Sequence, residues 1–251
     1  MTTKYSLKIL FLILPLFLLF TGSYASNEKN DTQMLIMEQI PYGYTSKTGK
    51  KTGVLYSILE KMLTSSGIES SINIMPTKRL LFTLQDNSNK VCTLVANTPD
   101  TQPFDIIEPI GFQLTVGILP TSGIKLNDYS SLKDITIAVP LGIIFDEKFH
   151  NDTTLKKVTP PHYINAINML KLGRIDAIAG AIPILKFLAK EQGMNLSSFG
   201  KPLVMINVGI HLVCSKNIKK ELREQLKKVL IEMKNKGEVQ KLLDKYFGKT
   251  Q

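Results

Sequence analysis

Four side chains in the first third of the chain, Glu38, Tyr42, Tyr44 and Arg79, have the chemistry needed to hold a small molecule. The guanidinium of Arg79 could bind a carboxylate or another anion through charge-assisted hydrogen bonds. Glu38 could pair with Arg79 or with a cationic ligand. Tyr42 and Tyr44 offer apolar ring faces with polar hydroxyl tips, which suit a pocket wall. Loop packing for the tyrosines, and a surface position or a local ion pair for the arginine, remain open alternatives.

Side chains for covalent or metal chemistry are few and scattered. The histidines, His150, His162 and His211, form no nucleophile–histidine–acid set. With the two cysteines, Cys92 and Cys214, they form no zinc-binding spacing. We therefore expect a binding protein rather than an enzyme, with no metal ion and no cofactor.

The first 25 residues have the pattern of a secretory signal peptide. Lys4 and Lys8 precede an apolar run over 9–20, and Ser23 and Ala25 occupy the −3 and −1 positions of the expected cleavage site. The apolar run is shorter than the ~20 residues that a membrane-spanning helix needs. The pattern predicts export to the periplasm and cleavage after Ala25.

The positive charge of the chain does not point to a nucleic-acid partner. Loss of Lys4 and Lys8 with the signal peptide lowers the formal net charge from +10 to +8. The densest basic group, within 216–228, is interleaved with Glu221 and Glu224, which is typical of a solvated helix face. We expect no binding to nucleic acid.

Short apolar strands alternate with amphipathic helices from residue 33 onward, which is the pattern of an α/β fold. Two series of similar size predict two lobes. The strands are predicted over 34–38, 71–75, 91–96, 112–119, 135–139, 176–180 and 208–215, and the helices over 54–65, 77–84 with Thr77 as the cap, 163–171, 182–192, 218–235 and 238–246.

Several segments, in this order along the chain, resemble family 3 extracellular solute-binding proteins, the binding components of polar amino-acid ABC importers. The resemblance covers essentially the whole chain after the signal peptide. The segments are Pro41-Tyr42-Gly43-Tyr44 with Gly53-Val54, Arg79-Leu80-Leu81, Val91-Cys92-Thr93-Leu94, the run from Ser131 to Val139, Leu170-Lys171-Leu172-Gly173-Arg174-Ile175-Asp176-Ala177, and the ending from Met233 to Gly248.

The resemblance implies a type II periplasmic-binding fold, in which two lobes joined by a two-segment hinge close on a ligand. We expect the first lobe to comprise residues 26–111 and 208–251, and the second lobe to comprise 112–207. The ligand is expected between the lobes, at the carboxyl ends of the parallel strands. Closure would report occupancy to a partner, expected to be an ABC transporter permease, with the binding protein acting as a monomer.

The two charged anchors that hold an α-amino acid in this family are absent from the matching positions. The arginine that binds the α-carboxylate is replaced by Thr101, and the acid that binds the α-ammonium is replaced by Ala181. Burying both charges of an amino acid without these partners is costly, so we expect no standard amino acid to bind tightly. The resemblance places at the cleft Glu38, Tyr42, Tyr44, Arg79, Asn97, Thr98 and Thr101 from the first lobe and Gly142, Ile143 and Ala181 from the second.

The expected function is capture of a small polar or anionic molecule for an ABC importer. A dehydratase-like enzyme on the same fold is one alternative, since cyclohexadienyl dehydratases are relatives of this family. Glu38 and Arg79 could in principle supply an acid and a positioning group. A soluble ligand sensor for a membrane receptor is another.

Cys92 and Cys214 are expected to be neighbours. In the fold that the resemblance implies, the strand over 208–215 returns to the first lobe antiparallel to the strand over 91–96. Both cysteines would then lie at the end remote from the cleft, within reach of a disulfide. A bond in the periplasm and two reduced core residues are both compatible with this placement.

Overall fold

The computed structural model describes Met1 and residues 32–86, 88–97, 101, 104–141 and 145–248. The rest of the expected signal peptide after Met1 lies outside the described residues. The strands are β1 (Gln33–Met37), β2 (Tyr44–Thr45), β3 (Lys51–Thr52), β4 (Ile72–Met75), β5 (Val91–Ala96), β6 (Asp105–Pro120), β7 (Thr136–Ala138), β8 (Lys156–Val158), β9 (Ala177–Ala181) and β10 (Leu203–Cys214). The helices are α1 (Val54–Ser66), α2 (Thr77–Gln85), α3 (Glu147–Asn151), α4 (Tyr163–Lys171), α5 (Ile182–Glu191), α6 (Lys220–Asn235) and α7 (Glu238–Phe247).

Eight of the strands form one mixed sheet with the order β4-β1-β5-β10-β6-β9-β7-β8. At one end, β1 pairs in parallel with β4 and β5. At the other end, β7 pairs in parallel with β8 and β9. We call the part built on β1, β4 and β5, with α1, α2, α6 and α7, the first lobe, and the part built on β7, β8 and β9, with α3, α4 and α5, the second lobe.

Helix α1 shows how the sequence pattern builds the first lobe. Its apolar residues recur at helical spacing, and all of them are buried. The helix ends at Gly67, which adopts the left-handed conformation with φ 68°, as the sequence predicts. The buried residues are Val54, Leu55, Ile58, Leu59, Met62 and Leu63.

Two long antiparallel strands, β6 and β10, connect the lobes. β6 has 16 residues and pairs with β10 over most of its length. Its end from Val116 to Pro120 pairs with β9, while β10 from Ile210 to Cys214 pairs with β5. The two strands therefore carry the chain from the first lobe to the second and back.

Both connecting strands are longer than predicted, since the expected ranges were 112–119 and 208–215. The missed part of β6 contains Pro109, which cannot donate to a ladder, and Gly111, whose φ is +85°. The sheet accommodates these residues through a register shift between Gly209 and His211 of β10, opposite Pro109.

The predicted capping role of Thr77 is wrong. Pro76, in an extended conformation, is the cap residue of α2, and Thr77 is the first helical residue with no side-chain capping bond. The Pro76 carbonyl accepts the N–H of Leu80 at 3.0 Å, so the helix starts one residue earlier than expected.

Cys92 and Cys214 stand opposite each other where β5 pairs with β10. The structure joins them in a disulfide, with 122 residues of sequence separation. No helix within the described ranges is both long enough and apolar enough to span a bilayer.

Candidate functional site

The carboxyl ends of the parallel strands carry several of the expected site residues. Glu38 directly follows β1, and its N–H donates to the Met75 carbonyl at the end of β4, at 2.8 Å. Asn97 follows β5, and its N–H donates to the Gly209 carbonyl at 2.9 Å. Ala181 ends β9 in the second lobe. Ligands of open α/β sheets bind at the carboxyl ends of the strands. The strand ends of both lobes therefore form the candidate site.

The loop that carries Tyr42 is fixed by the start of α1. The N–H groups of Val54 and Leu55 donate to the carbonyls of Pro41 and Tyr42, at 2.8 and 3.0 Å. Gly53 permits this contact, because its φ is +130° and a Cβ there would lie 2.3 Å from the Tyr42 carbonyl oxygen. The loop therefore holds Tyr42 in one place.

Tyr42 is buried, with 3% of its surface exposed. Among the described residues, its hydroxyl has no hydrogen-bond partner. Burial, and then the nearby hydroxyl of Tyr163 in the second lobe, raise the pKa of Tyr42 far above its usual range. A neutral hydroxyl in this position lacks the partner that buried polar groups normally have.

Tyr163 is a site residue that the sequence analysis missed. It is the first residue of α4, and its hydroxyl lies near the backbone N–H of Ala181. Burial raises the pKa of Tyr163 to about 12, against the smaller lowering effect of that N–H. The sequence signal that could have identified it is a tyrosine at the start of α4, the helix that precedes β9 and Ala181.

Gly180 makes the position of Tyr163 possible. A Cβ at Gly180 would lie 2.5 Å from the Tyr163 ring and hydroxyl, and the φ of Gly180 is +151°. Both the contact and the backbone conformation require glycine. The Tyr163 ring therefore covers the carboxyl end of β9.

Tyr44 lies near the second lobe, at the side of the site. It is half-buried, and its pKa is raised by burial, then by Tyr246 of α7 and Glu191 of α5. Tyr246 is held by the first lobe, because its hydroxyl accepts the N–H of Gly53 at 3.2 Å. Its ring lies 6.4 Å from that of Phe187 in α5, so α7 contacts the second lobe.

Thr101 does not offer its hydroxyl to the cleft. The residue is 1% exposed, and its Oγ1 donates to the Ala96 carbonyl at 3.0 Å. The hydroxyl thus stabilises the chain just after β5. The position that carries an arginine in the resembling family serves a local structural role here.

Arg79, Glu38 and Asn97 are exposed at the edge of the first lobe. Within the described ranges, no ion pair joins Arg79 to Glu38, so both charges face solvent. Tyr163 packs beside Gly180 and Ala181 at the end of β9, and it is near enough to Tyr42 to raise the pKa of that residue. The remaining expected residues, Thr98, Gly142 and Ile143, lie outside the described residues.

In the part of the chain that the structure describes, no three His, Cys, Asp or Glu side chains are grouped as they would be to hold a metal ion. A surface cavity of about 400 Å³ lies elsewhere, between the start of β6 and α6. Asp105, which lines this cavity, stands opposite Cys214 in the ladder of β6 and β10. The cavity therefore lies at the end of the first lobe that is remote from the candidate site.

Comparison with known proteins gives a consistent result. The model of bacterial extracellular solute-binding proteins, family 3, matches residues 34–249. The probable amino-acid-binding protein YxeM of Bacillus subtilis is 23% identical over 236 residues, which cover 90% of this chain and 89% of that protein.

Solved structures share the fold. An ancestral cationic amino acid solute-binding protein superposes with a TM-score of 0.69 at 21% identity, covering 87% of this chain and 96% of that one. The second substrate-binding domain of a putative amino acid ABC transporter from Streptococcus pneumoniae gives a TM-score of 0.65 at 20% identity, covering 86% and 99%. These neighbours have the two-lobed type II periplasmic-binding fold, as expected for this chain. With a match over residues 34–249 and this fold, the chain belongs to the bacterial extracellular solute-binding proteins, family 3.

Proposed function

We propose that this protein captures a small polar or anionic molecule between its two lobes and delivers it to an ABC transporter permease. The observation that carries the proposal is that each lobe places a tyrosine, Tyr42 or Tyr163, where its parallel strands end. A ligand held there would contact both lobes at once and would favour the closed arrangement.

The lobes are proposed to divide within the two connecting strands. The first lobe would comprise 26–111 and 208–251, and the second lobe 112–207, so that the hinge crosses β6 and β10. Gly111, with φ +85°, and the register shift at Gly209 lie close to these boundaries. Both features interrupt a regular ladder, which supports bending there.

The location of the site residues is proposed with the function. Tyr163 is proposed to line the cleft together with Glu38, Tyr42, Tyr44, Arg79, Asn97 and Ala181. Thr98, Gly142 and Ile143, which lie outside the described residues, are proposed to have the same role. Membership of an extracellular family supports a location outside the cytoplasm. Removal of 1–25, a periplasmic location and a monomeric state are part of the proposal.

A ligand screen on the purified protein without residues 1–25 tests the function. Amino acids, short peptides, organic acids, polyamines and aromatic acids are compared by thermal shift. A ligand present at 100 times its Kd stabilises the folded state by about 2.7 kcal/mol, which is plainly measurable. Small-angle X-ray scattering then measures closure, expected as a smaller radius of gyration with the ligand. A failure of every compound to bind would contradict the proposal.

The same preparation tests the enzymatic alternative. One solved neighbour is described as a precursor of cyclohexadienyl dehydratase, which motivates assays with prephenate and arogenate. We expect neither to be consumed, since the described part of the chain shows no grouped set of acid and base. Turnover of either compound would replace binding with catalysis as the function.

A further inference from the structure

We infer that the ligand is a small organic carboxylate without an ammonium group, held by the Tyr42 hydroxyl and the Arg79 guanidinium. This inference rests on the proposed function and specifies its ligand class. It differs from the amino-acid specificity that the names of the similar proteins state.

The buried hydroxyl of Tyr42 supplies the first argument. With 3% exposure and no partner among the described residues, it bears the cost of an unsatisfied buried polar group. The start of α1 fixes the loop, so the hydroxyl cannot turn freely to solvent. A ligand oxygen that accepts this hydroxyl proton would remove the cost, and a carboxylate is the strongest such acceptor.

The carboxyl end of β9 supplies the second argument, because it has nothing to hold a cation. Ala181 is buried and apolar, and its N–H faces the neutral hydroxyl of Tyr163. Helix α4 starts at Tyr163, and a helix N-terminus carries partial positive charge. This charge would repel an ammonium group, and neither Ala181 nor Tyr163 supplies an acid to offset the repulsion.

The charges of the first lobe supply the third argument. Arg79 makes no ion pair within the described ranges, so its fork of donors is free to bind a carboxylate. Glu38 is the carboxylate among the candidate residues, and it is as exposed as Arg79. The difference lies in geometry, because the planar fork of Arg79 can bind a carboxylate through two parallel hydrogen bonds, whereas an ammonium is a point charge without such a match.

Matched compound pairs test the ligand class. Phenylalanine, leucine and glutamine are compared with 3-phenylpropionate, 4-methylpentanoate and 4-carbamoylbutanoate, which keep the carboxylate and side chain but lack the amine. Calorimetry is expected to show that at least one amine-free compound binds tenfold or more tightly than its amino acid. Tighter binding of any amino acid than its partner would overturn the inference, as would no binding of any amine-free carboxylate.

Substitutions test the two residues. Tyr42→Phe removes only the unpartnered hydroxyl, so the melting temperature without ligand is expected to stay the same or rise. Affinity for the best carboxylate is expected to fall about tenfold. Arg79→Gln is expected to weaken it by at least as much, whereas Lys78→Gln, its exposed neighbour on α2, is expected to change it less than twofold.

The outcomes separate this inference from the proposed function. Unchanged affinity in Tyr42→Phe or Arg79→Gln would reject the proposed contacts. Binding of a peptide or polyamine, with no response to carboxylates, would reject the ligand class and leave capture between the lobes intact. No ligand-induced closure with any compound would contradict both.

Discussion

The pKa values of Tyr163 and Tyr246 shift in opposite directions, although both are half-buried aromatic residues. Burial dominates at Tyr163 and raises its pKa to about 12. At Tyr246 burial also acts to raise the pKa, but hydrogen bonds from Ser57, Thr52 and Gly53, with Lys245 nearby, together lower it. The number of donors that reach each hydroxyl explains the difference.

This contrast predicts the response of stability to alkaline pH. A folded-state pKa of about 12 for Tyr163, above the unfolded value of ~10, means that its contribution is complete below pH ~10 and is lost as pH rises toward 12. Tyr163→Phe should therefore show a shallower decline in the free energy of unfolding between pH 10 and 12, by about 2 kcal/mol. Urea unfolding at several pH values measures it.

Tyr246→Phe is the matched comparison. Its lowered pKa adds stability as pH rises toward the unfolded value, so its removal should make the alkaline decline steeper. The same direction of change in both variants would contradict this account.

The pairing of β5 with β10 joins the two segments of the chain that build the first lobe. Cys92 is the second residue of β5 and Cys214 ends β10, so their bond joins the first lobe's N-terminal strands to the returning strand. We predict that the exported protein, denatured without reduction, has no free thiol. Because the bond closes a loop of 122 residues of separation, Cys92→Ala with Cys214→Ala should lose about 4–5 kcal/mol of stability.

Thiol titration and denaturant unfolding measure these two quantities separately. Two free thiols in the unreduced protein would disprove oxidation. The decrease in the free energy of unfolding on reduction of the natural chain is then compared with that of the double variant. Equal decreases would assign the effect to the bond rather than to packing of the sulfur atoms.

Elements with strong periodicity were predictable from the sequence, whereas those shaped by long-range pairing were not. Helix α1 and strand β5 follow directly from their apolar patterns. The first half of β6 was missed because Pro109 and Gly111 disfavour a strand locally, and only the bulged pairing with β10 sustains it. The hairpin of β2 and β3 was missed because its polar residues carry no alternating pattern.

The candidate site shows the same limit. The loss of charged anchors at Thr101 and Ala181 was readable from the sequence. However, the inward hydrogen bond of Thr101 to Ala96 and the approach of Tyr163 to Tyr42 depend on tertiary contacts. A side chain's direction in a loop, and its partner in another lobe, cannot be obtained from local spacing.

At the scale of the whole molecule, aromatic contacts connect the lobes beside the candidate site. Phe187 of the second lobe lies 6.4 Å from Tyr246, and Phe247 stacks on Phe112 of β6 at 5.3 Å. We predict that Phe187→Ala shifts the protein toward a more open form with a larger radius of gyration. Since an aromatic pair contributes about 0.5–1.5 kcal/mol, ligand affinity should fall up to about tenfold.

Phe82→Ala is the matched control for this prediction. Phe82 is 71% exposed on α2, so its removal should change neither the radius of gyration nor the affinity. Equal scattering curves for Phe187→Ala and the unmodified protein would show that the ring contact does not set the closed population.

The position of β10 in the sheet also imposes an order of assembly on the growing chain. In a chain that emerges into the periplasm from its N-terminus, as proposed, the strands of the second lobe are complete once residue 181 has emerged. The first lobe begins earlier but cannot finish its sheet, because β5 needs residues 210–214 of β10 as its neighbour. The first lobe is therefore completed last, and until then β5 exposes an unpaired strand edge.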